Sequence, residues 1–135
     1  MNSSINILIA EDEGNIALAL KTIINKALGG ASITIVKNGD SALDAIFKTT
    51  YQLIISDWNM PGMTGIDLLT VLRNSETTKN IPFLMITARE DMPSVMSALE
   101  SGVTGYLTKP FENQIVIDRI TQMLGMTAKQ VEDNT

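Results

Sequence analysis

Five short runs of branched apolar residues alternate along the chain with longer segments in which apolar residues recur every three or four positions. This alternation is typical of an α/β fold built on a parallel sheet. The run Leu53-Ile54-Ile55 is apolar at successive positions, as expected of a strand that is covered on both faces. The predicted strands are Ile5 to Ala10, Ser32 to Lys37, Gln52 to Asp57, Ile81 to Thr87 and Gly105 to Lys109.

The helical segments carry their own start and stop residues. Short polar side chains favour helix N-termini, and glycine favours the position just after a helix end. The predicted starts are Asp40 or Ser41 for the second helix, Thr64 for the third and Asp91 with Pro93 for the fourth, and the predicted stops are Gly29-Gly30, Gly102 and Gly125. These signals predict one domain over residues 1–125, followed by a loose polar tail over 126–135.

The composition excludes several function classes. The 135 residues include neither cysteine nor histidine, so Ser-His-Asp and Cys-His catalysis, zinc sites built on those residues and histidine-bound haem are ruled out. A net charge of −5 argues against nucleic acid or an anionic membrane as a partner. Since no apolar run has the length of a spanning helix or the features of a signal peptide, we expect a cytoplasmic protein, and a monomer.

Polar residues follow the predicted strands. Glu11-Asp12-Glu13 follows the first strand, Asp57 ends the third, Thr87 ends the fourth and Lys109 ends the fifth. Right-handed crossovers place the carboxyl ends of parallel strands along one edge, where ligands bind in open α/β sheets. The sequence therefore predicts that three carboxylates, a hydroxyl and an ammonium group converge there.

Carboxylates that lie close together repel one another, and a hard divalent cation such as Mg²⁺ relieves that repulsion with oxygen ligands. Lys109 adds a second positive charge and Thr87 a hydroxyl donor. Such a site is suited to stabilising the charge on a phosphoryl group during transfer. Asp57 is the predicted acceptor, and Mn²⁺ or Ca²⁺ are candidate substitutes for Mg²⁺.

The sequence resembles the receiver domain of two-component response regulators, and most of all the CheY class of single-domain chemotaxis regulators. The resemblance covers about Ile5 to Leu124. The motifs that carry it are Glu11-Asp12, the run Asp57-Trp58-Asn59-Met60-Pro61-Gly62-Met63-Thr64-Gly65, the pair Thr87-Ala88, and Gly105-Tyr106-Leu107-Thr108-Lys109-Pro110-Phe111. It implies a flavodoxin-like (βα)5 doubly wound fold with strand order 2-1-3-4-5.

The resemblance also implies a role for each matching residue. Asp57 would be phosphorylated, Asp12 would bind Mg²⁺ directly, and Asn59 would bind it through its backbone carbonyl. Glu11 would act mostly through metal-bound water, with direct contact left open because glutamate is longer than aspartate. Thr87 and Lys109 would contact phosphoryl oxygens, and Lys109-Pro110 would be a cis peptide.

Further roles concern switching and access. Thr87, drawn toward the phosphoryl group, would let Tyr106 rotate into the vacated space. Ala88 leaves the donor a path, while Arg89 departs from the acidic residue of the best-known chemotaxis example and leaves the phosphorylation lifetime open. Trp58 is interpreted as a partly exposed neighbour of Asp57, with a plain packing role as the alternative. Met92 and Met96 are candidates for a partner-binding face.

The implied function is phosphoacceptor signalling rather than enzymatic turnover, although the domain would assist its own phosphotransfer and autodephosphorylation. The donor would be a sensor histidine kinase of the CheA type, which supplies the histidine that this chain lacks. Since 135 residues leave no room for an effector domain, we expect output by protein binding at the face of the fourth helix, fifth strand and fifth helix. The flagellar motor switch is the leading partner, another protein effector is the alternative, and a phosphatase is a further candidate.

Four alternatives compete with a chemotaxis receiver. One is a stand-alone receiver of another phosphorelay, and a second is a pseudo-receiver that binds partners without phosphorylation. A flavodoxin-like FMN binder is disfavoured because the acidic loop Glu11-Asp12-Glu13-Gly14 would repel phosphate. A haloacid-dehalogenase-like phosphatase is disfavoured because Asn59 stands where that family has a second acid.

Overall fold

The computed structural model describes residues 5–125, and these form one parallel sheet flanked by helices. The sheet has five strands in the order β2-β1-β3-β4-β5, and each neighbouring pair is parallel. The strands are β1 (Asn6–Ala10), β2 (Ser32–Val36), β3 (Leu53–Ser56), β4 (Phe83–Thr87) and β5 (Gly105–Thr108). The predicted flavodoxin-like α/β fold and its strand order are confirmed.

One helix follows each strand. The helices are α1 (Gly14–Ala27), α2 (Gly39–Lys48), α3 (Gly65–Arg73), α4 (Met92–Glu100) and α5 (Asn113–Met123). Two predicted caps are confirmed: Thr64 Oγ1 accepts a hydrogen bond from the Asp67 amide at 3.2 Å, and Asp91 Oδ2 accepts one from the Ser94 amide at 3.0 Å. Such caps satisfy amide groups that the first turn of a helix leaves unpaired.

The predicted start of α2 was wrong by a few residues. Asn38 is the N-cap, because its Oδ1 accepts a hydrogen bond from the Ser41 amide at 2.7 Å. The Asp40 carboxylate instead accepts a longer bond, 3.4 Å, from the Met63 amide in the loop after β3. Asp40 therefore lies within the first turn of α2 and contacts a distant loop instead of capping the helix.

The strands are also shorter than predicted. The ladders end before Lys37, Asp57 and Lys109, so these polar residues lie just beyond the sheet, at its carboxyl edge. At the other end, the fourth strand begins only at Phe83, after Pro82, which has no amide hydrogen to donate to a ladder. Its carbonyl still accepts a bond from the Ile54 amide at 3.0 Å.

Each face of the sheet has its own apolar core. Ile7 and Ile9 of β1 pack among residues of α1 and α5, whereas Leu8 and Ala10 pack on the opposite face, with α2, α3 and Ala98 of α4. Alternate residues of a strand point to opposite faces, so one buried strand supplies both cores. The two layers of helices leave the carboxyl edge of the sheet open.

Two expectations concern the ends of the chain and the membrane. The predicted polar tail, residues 126–135, lies outside the described residues, and the domain bounds 1–125 stay a prediction. Within residues 5–125, no helix has both the length and the apolar composition needed to cross a membrane.

Candidate functional site

The structure brings the predicted site residues together at the carboxyl edge of the sheet. Glu11 follows β1, Asp57 follows β3, Thr87 ends β4 and Lys109 follows β5. An open cavity of about 380 Å³ lies beside them. Its lining consists of Asp12, Glu13, Asp57, Asn59, Thr87, Ala88 and Lys109.

Lys109 is the cation at the centre of this cluster. Its Nζ donates hydrogen bonds to Asp57 Oδ2 and to Glu11 Oε1, both at 2.8 Å, and lies 3.8 Å from Glu13 Oε1. All three partners of the two short bonds are largely buried. A buried ion pair of this kind contributes little net stability, but loss of one partner leaves an uncompensated charge.

The electrostatics of the cluster show in two pKa values. Burial of Glu11 raises the pKa of its carboxyl group, because burial outweighs the opposing effect of the bonds from Lys109 and the Glu13 amide. Burial on its own would lower the pKa of Lys109, but its hydrogen bonds to Asp57 and Glu11 outweigh burial and raise it. Lys109 is therefore protonated and positively charged. The ionised form of Glu11 is disfavoured by its burial.

The carboxylates outnumber the cation at their centre. One oxygen from each of Glu11, Asp12 and Asp57 lies within 4.8 Å of the other two, and Asp12 is exposed to solvent. Three such oxygens match the ligands that Mg²⁺ takes, and the open cavity leaves room for the waters that it keeps. The residues present therefore fit a divalent cation.

The contacts of Glu11 bear on its predicted role. Its Oε1 is bonded to Lys109, and its Oε2 accepts a hydrogen bond from the Glu13 amide at 3.1 Å. Both oxygens of the carboxylate thus already have protein partners. The oxygens of Asp57 are bonded in the same way, so these contacts do not separate direct metal contact from action through water, and the role of Glu11 stays a prediction.

The Asp57 side chain is held from both sides. Its Oδ1 accepts hydrogen bonds from the Trp58 amide at 2.6 Å and, at 3.4 Å, from the Asn59 amide, while Oδ2 faces Lys109. Gly65 at the start of α3 lies directly against the backbone carbonyl of Asp57, and its amide donates to the Trp58 carbonyl at 2.8 Å. Any Cβ at Gly65 would meet that Asp57 carbonyl, so glycine is required for this close approach.

The sequence left two interpretations of Trp58, and the packing role is the one confirmed. Its side chain is only 8% exposed and belongs to the core cluster that contains residues of α2 and α3. The Arg89 guanidinium lies over its ring, 4.7 Å from the centroid, and Arg89 Nη2 donates to Asn59 Oδ1 at 3.0 Å. Sequence reasoning gave Arg89 a place at the site but missed these contacts, because 30 residues separate the arginine from Asn59.

The predicted switch residues are linked through the backbone of Arg89. Thr87 is fully buried, and its Oγ1 accepts a hydrogen bond from the Arg89 amide at 3.3 Å. The Tyr106 hydroxyl donates to the Arg89 carbonyl at 2.7 Å. Ala88 lies between Thr87 and Arg89 in the sequence and is exposed at the mouth of the cavity.

Near this site, α4 carries an exposed apolar surface. Met92, Met96 and Leu99 are 68%, 47% and 55% exposed, and we call these three side chains the α4 apolar face. Met92 and Met96, the candidates for a partner-binding face, are thus exposed, and their binding role stays a prediction. Exposed apolar groups that cluster on one helix are typical of a binding surface.

Comparisons with known proteins define the class of this site. The model of the response regulator receiver domain matches residues 7–121, so the chain belongs to the response regulator receiver family. Receiver domains are phosphoacceptor signalling domains rather than classical enzymes. The cis peptide that this family led us to expect is present at Lys109-Pro110.

Individual proteins show what the chain is similar to within this family. Chemotaxis protein CheY of Pseudomonas aeruginosa is 35% identical over 117 residues, which cover 87% of this chain and 94% of the relative. Chemotaxis response regulator CheY4 of Vibrio cholerae has a solved structure with a TM-score of 0.81 and 27% identity, covering 88% of this chain and 98% of that one. The receiver domain of a histidine kinase from Syntrophus aciditrophicus matches with a TM-score of 0.83 and 31% identity, covering 90% and 91%.

Proposed function

We propose that this protein is a CheY-like response regulator that accepts a phosphoryl group on Asp57 in a Mg²⁺-dependent reaction. The observation that carries the proposal is the position of Lys109 Nζ, 2.8 Å from Asp57 Oδ2, within a group of carboxylates that suits a divalent cation. An ammonium beside the acceptor oxygen stabilises the charge that develops on the transferred group.

In the proposed transfer, one oxygen of the Asp57 carboxylate attacks the phosphorus of a kinase phosphohistidine. The P–N bond breaks, its electron pair stays on the imidazole nitrogen, and a P–O bond forms to give an acyl phosphate. Lys109, which lies against Asp57 Oδ2, would pair with one phosphoryl oxygen, and the Thr87 hydroxyl would donate to another. Most of the catalysis is positioning and charge stabilisation, as in phosphoryl transfer generally.

Mg²⁺, when bound, would neutralise charge on the phosphoryl oxygens. Asp12, Asp57 and the backbone carbonyl of Asn59 would hold it, with Glu11 acting through water. Ala88 is exposed at the cavity mouth and leaves the donor a path to Asp57. Hydrolysis of the acyl phosphate by water would then return free phosphate and the original carboxylate.

Phosphorylation can be tested by mass spectrometry. The protein would be incubated with acetyl phosphate or a phosphorylated CheA-type kinase, with and without Mg²⁺, and the labelled peptide sequenced. We expect one phosphoryl group on Asp57, only with Mg²⁺, and none on Asp57→Asn. Asp44→Asn, an exposed acid of α2, is the matched control and should be labelled normally. Absence of labelling and of any response to beryllofluoride would support the pseudo-receiver instead.

We further propose that output uses the surface formed by α4, β5 and α5, and that the partner is the flagellar motor switch. The α4 apolar face supports this surface, and the likeness to chemotaxis relatives supports this partner. A receiver of another phosphorelay is the second candidate. A cytoplasmic location is expected for both candidate functions.

Binding to a motor switch peptide separates these candidates. The beryllofluoride form should bind the peptide more tightly than the untreated protein. Met96→Lys should weaken binding, whereas Phe47→Lys, at an exposed apolar residue of α2, should not. Equal binding by the two forms, or none, would contradict the motor assignment while leaving the labelling of Asp57 unaffected.

A further inference from the structure

We infer that Arg89 is a positioning residue whose side chain, anchored on Trp58 and Asn59, fixes the backbone carbonyl that receives the Tyr106 hydroxyl. The inference goes beyond phosphoacceptance, because it identifies a direct physical link between the segment after Asp57 and the switch tyrosine. Its consequence for signalling rests on the proposed function. The contact itself does not.

The Arg89 side chain is anchored at several points. Its guanidinium lies 4.7 Å from the centre of the Trp58 ring, Nη2 bonds to Asn59 Oδ1 at 3.0 Å, and Nη1 lies 3.5 Å from Ser94 Oγ. A guanidinium is suited to this arrangement because its planar face stacks on an aromatic ring while its edge donates hydrogen bonds.

One hydrogen-bond donor of the Arg89 side chain is left without a partner. Its Nε is buried and has no hydrogen-bond partner among the described residues. A buried, unpaired donor is unfavourable. The same guanidinium stacks on Trp58 and bonds to Asn59, and both contacts act against this cost.

The backbone of Arg89 is anchored as well. Its amide donates to Thr87 Oγ1 at 3.3 Å and its carbonyl accepts from the Tyr106 hydroxyl at 2.7 Å. Side chain, amide and carbonyl therefore each bind a different residue of the site. Because all three share one Cα, a shift of Trp58, Asn59 or Thr87 changes where the carbonyl points and so displaces Tyr106.

Tyrosine-labelled protein tests the link. The chain has two tyrosines, so a spectrum of protein carrying ¹³C-labelled tyrosine shows Tyr106 beside Tyr51, which is buried in the core and serves as the internal reference. In Arg89→Gln we expect the Tyr106 resonance to shift while that of Tyr51 stays in place. Trp58 fluorescence should change in the same variant. Lys26→Gln removes a positive charge from the far end of α1 and should change neither signal.

Two further variants make the test specific. Trp58→Leu removes the stacking partner and should shift Tyr106 in the same direction as Arg89→Gln, and the double variant should add little. Arg89→Lys keeps the charge without the planar fork and should also shift Tyr106. Three results would overturn the inference. The first is a Tyr106 resonance in Arg89→Gln that stays in place while Trp58 fluorescence reports loss of stacking. The others are shifts of Tyr106 that add fully in the double variant, and a wild-type Tyr106 resonance in Arg89→Lys.

None of these measurements needs phosphorylation. If Asp57 is never labelled but Tyr106 responds to Arg89, the proposed function fails and the positioning role stands. If Asp57 is labelled and the Tyr106 resonance does not shift in the Arg89 variants, only the positioning role fails. The two proposals are therefore distinguishable.

Discussion

Helices α1 and α4 cover opposite faces of the same sheet but are held to it very differently. Helix α1 buries Ala17, Leu20, Ile23, Ile24 and Ala27 over fourteen residues. Helix α4, with nine residues, buries only Ser94 and Ala98, and its larger apolar side chains form the exposed α4 apolar face. Apolar burial is what chiefly holds a helix in place, so α1 is part of the scaffold and α4 is attached weakly.

The weakly buried helix, α4, is the one that follows the loop containing Arg89. The loop before α4 contains Arg89, which is bound to Trp58 and Tyr106, and the helix begins at the Asp91 cap two residues later. A segment with little apolar burial can change position at low cost in free energy. The weak attachment of α4 therefore suits its proposed role, in which the helix responds to phosphorylation of Asp57.

The largest expected effect is on α1. Leu20→Ala should lower the free energy of unfolding by about 2–5 kcal/mol, because a fully buried leucine leaves a cavity behind. Chemical denaturation with a two-state fit measures it. A loss below about 1 kcal/mol would contradict the view of α1 as scaffold.

Hydrogen exchange compares the two helices in one experiment. We expect the central amides of α4 to exchange faster than those of α1 by about tenfold or more, since α4 opens without disrupting a core cluster. Amide-resolved NMR at neutral pH measures it. Equal protection of both helices would remove the basis of the comparison.

The start of α4 should be sensitive to acid. Hydrogen bonds from Ser94 hold the pKa of the Asp91 carboxyl below its usual value of 3.8. A lowered pKa adds stability that is present above the unfolded value and is lost as pH falls through the folded value, so protection at the start of α4 should decrease as the pH falls below about 3.8. Asp91→Asn keeps a capping side chain without the titration, and a decrease of the same size there would assign the effect to other groups.

The smallest expected effect is on the α4 apolar face. Leu99→Ala should change the free energy of unfolding by no more than about 0.5 kcal/mol, because the residue is already 55% exposed. Paired with Leu20→Ala, it compares the same substitution on the two helices. A large loss would mean that this face is covered in solution.

Local sequence pattern predicted the α/β class, the five strands, the five helices and the caps Thr64 and Asp91. The strand order was implied by the resemblance to receiver domains. The adjacency of Asp57 and Lys109 followed from the general geometry of parallel sheets. The pairing of Lys109 with Glu11 did not, because 98 residues separate them and several cationic and acidic partners were available. The contacts of Arg89 were missed for the same reason, since 30 residues separate it from Asn59. The capping by Asn38 was missed although it is a local contact, and the burial of Trp58 was one of two alternatives that the sequence left open.

Strand β5 lies at the end of the sheet and pairs only with β4. Lys109, just after β5, nevertheless reaches Asp57 beyond β3 and Glu11 beyond β1. One side chain thus ties the outermost strand to two inner strands across the end of β4, independently of the ladder. If Asp57 is phosphorylated as proposed, Lys109 is in direct contact with the new charge and joins it to the edge strand without involving the strand ladder.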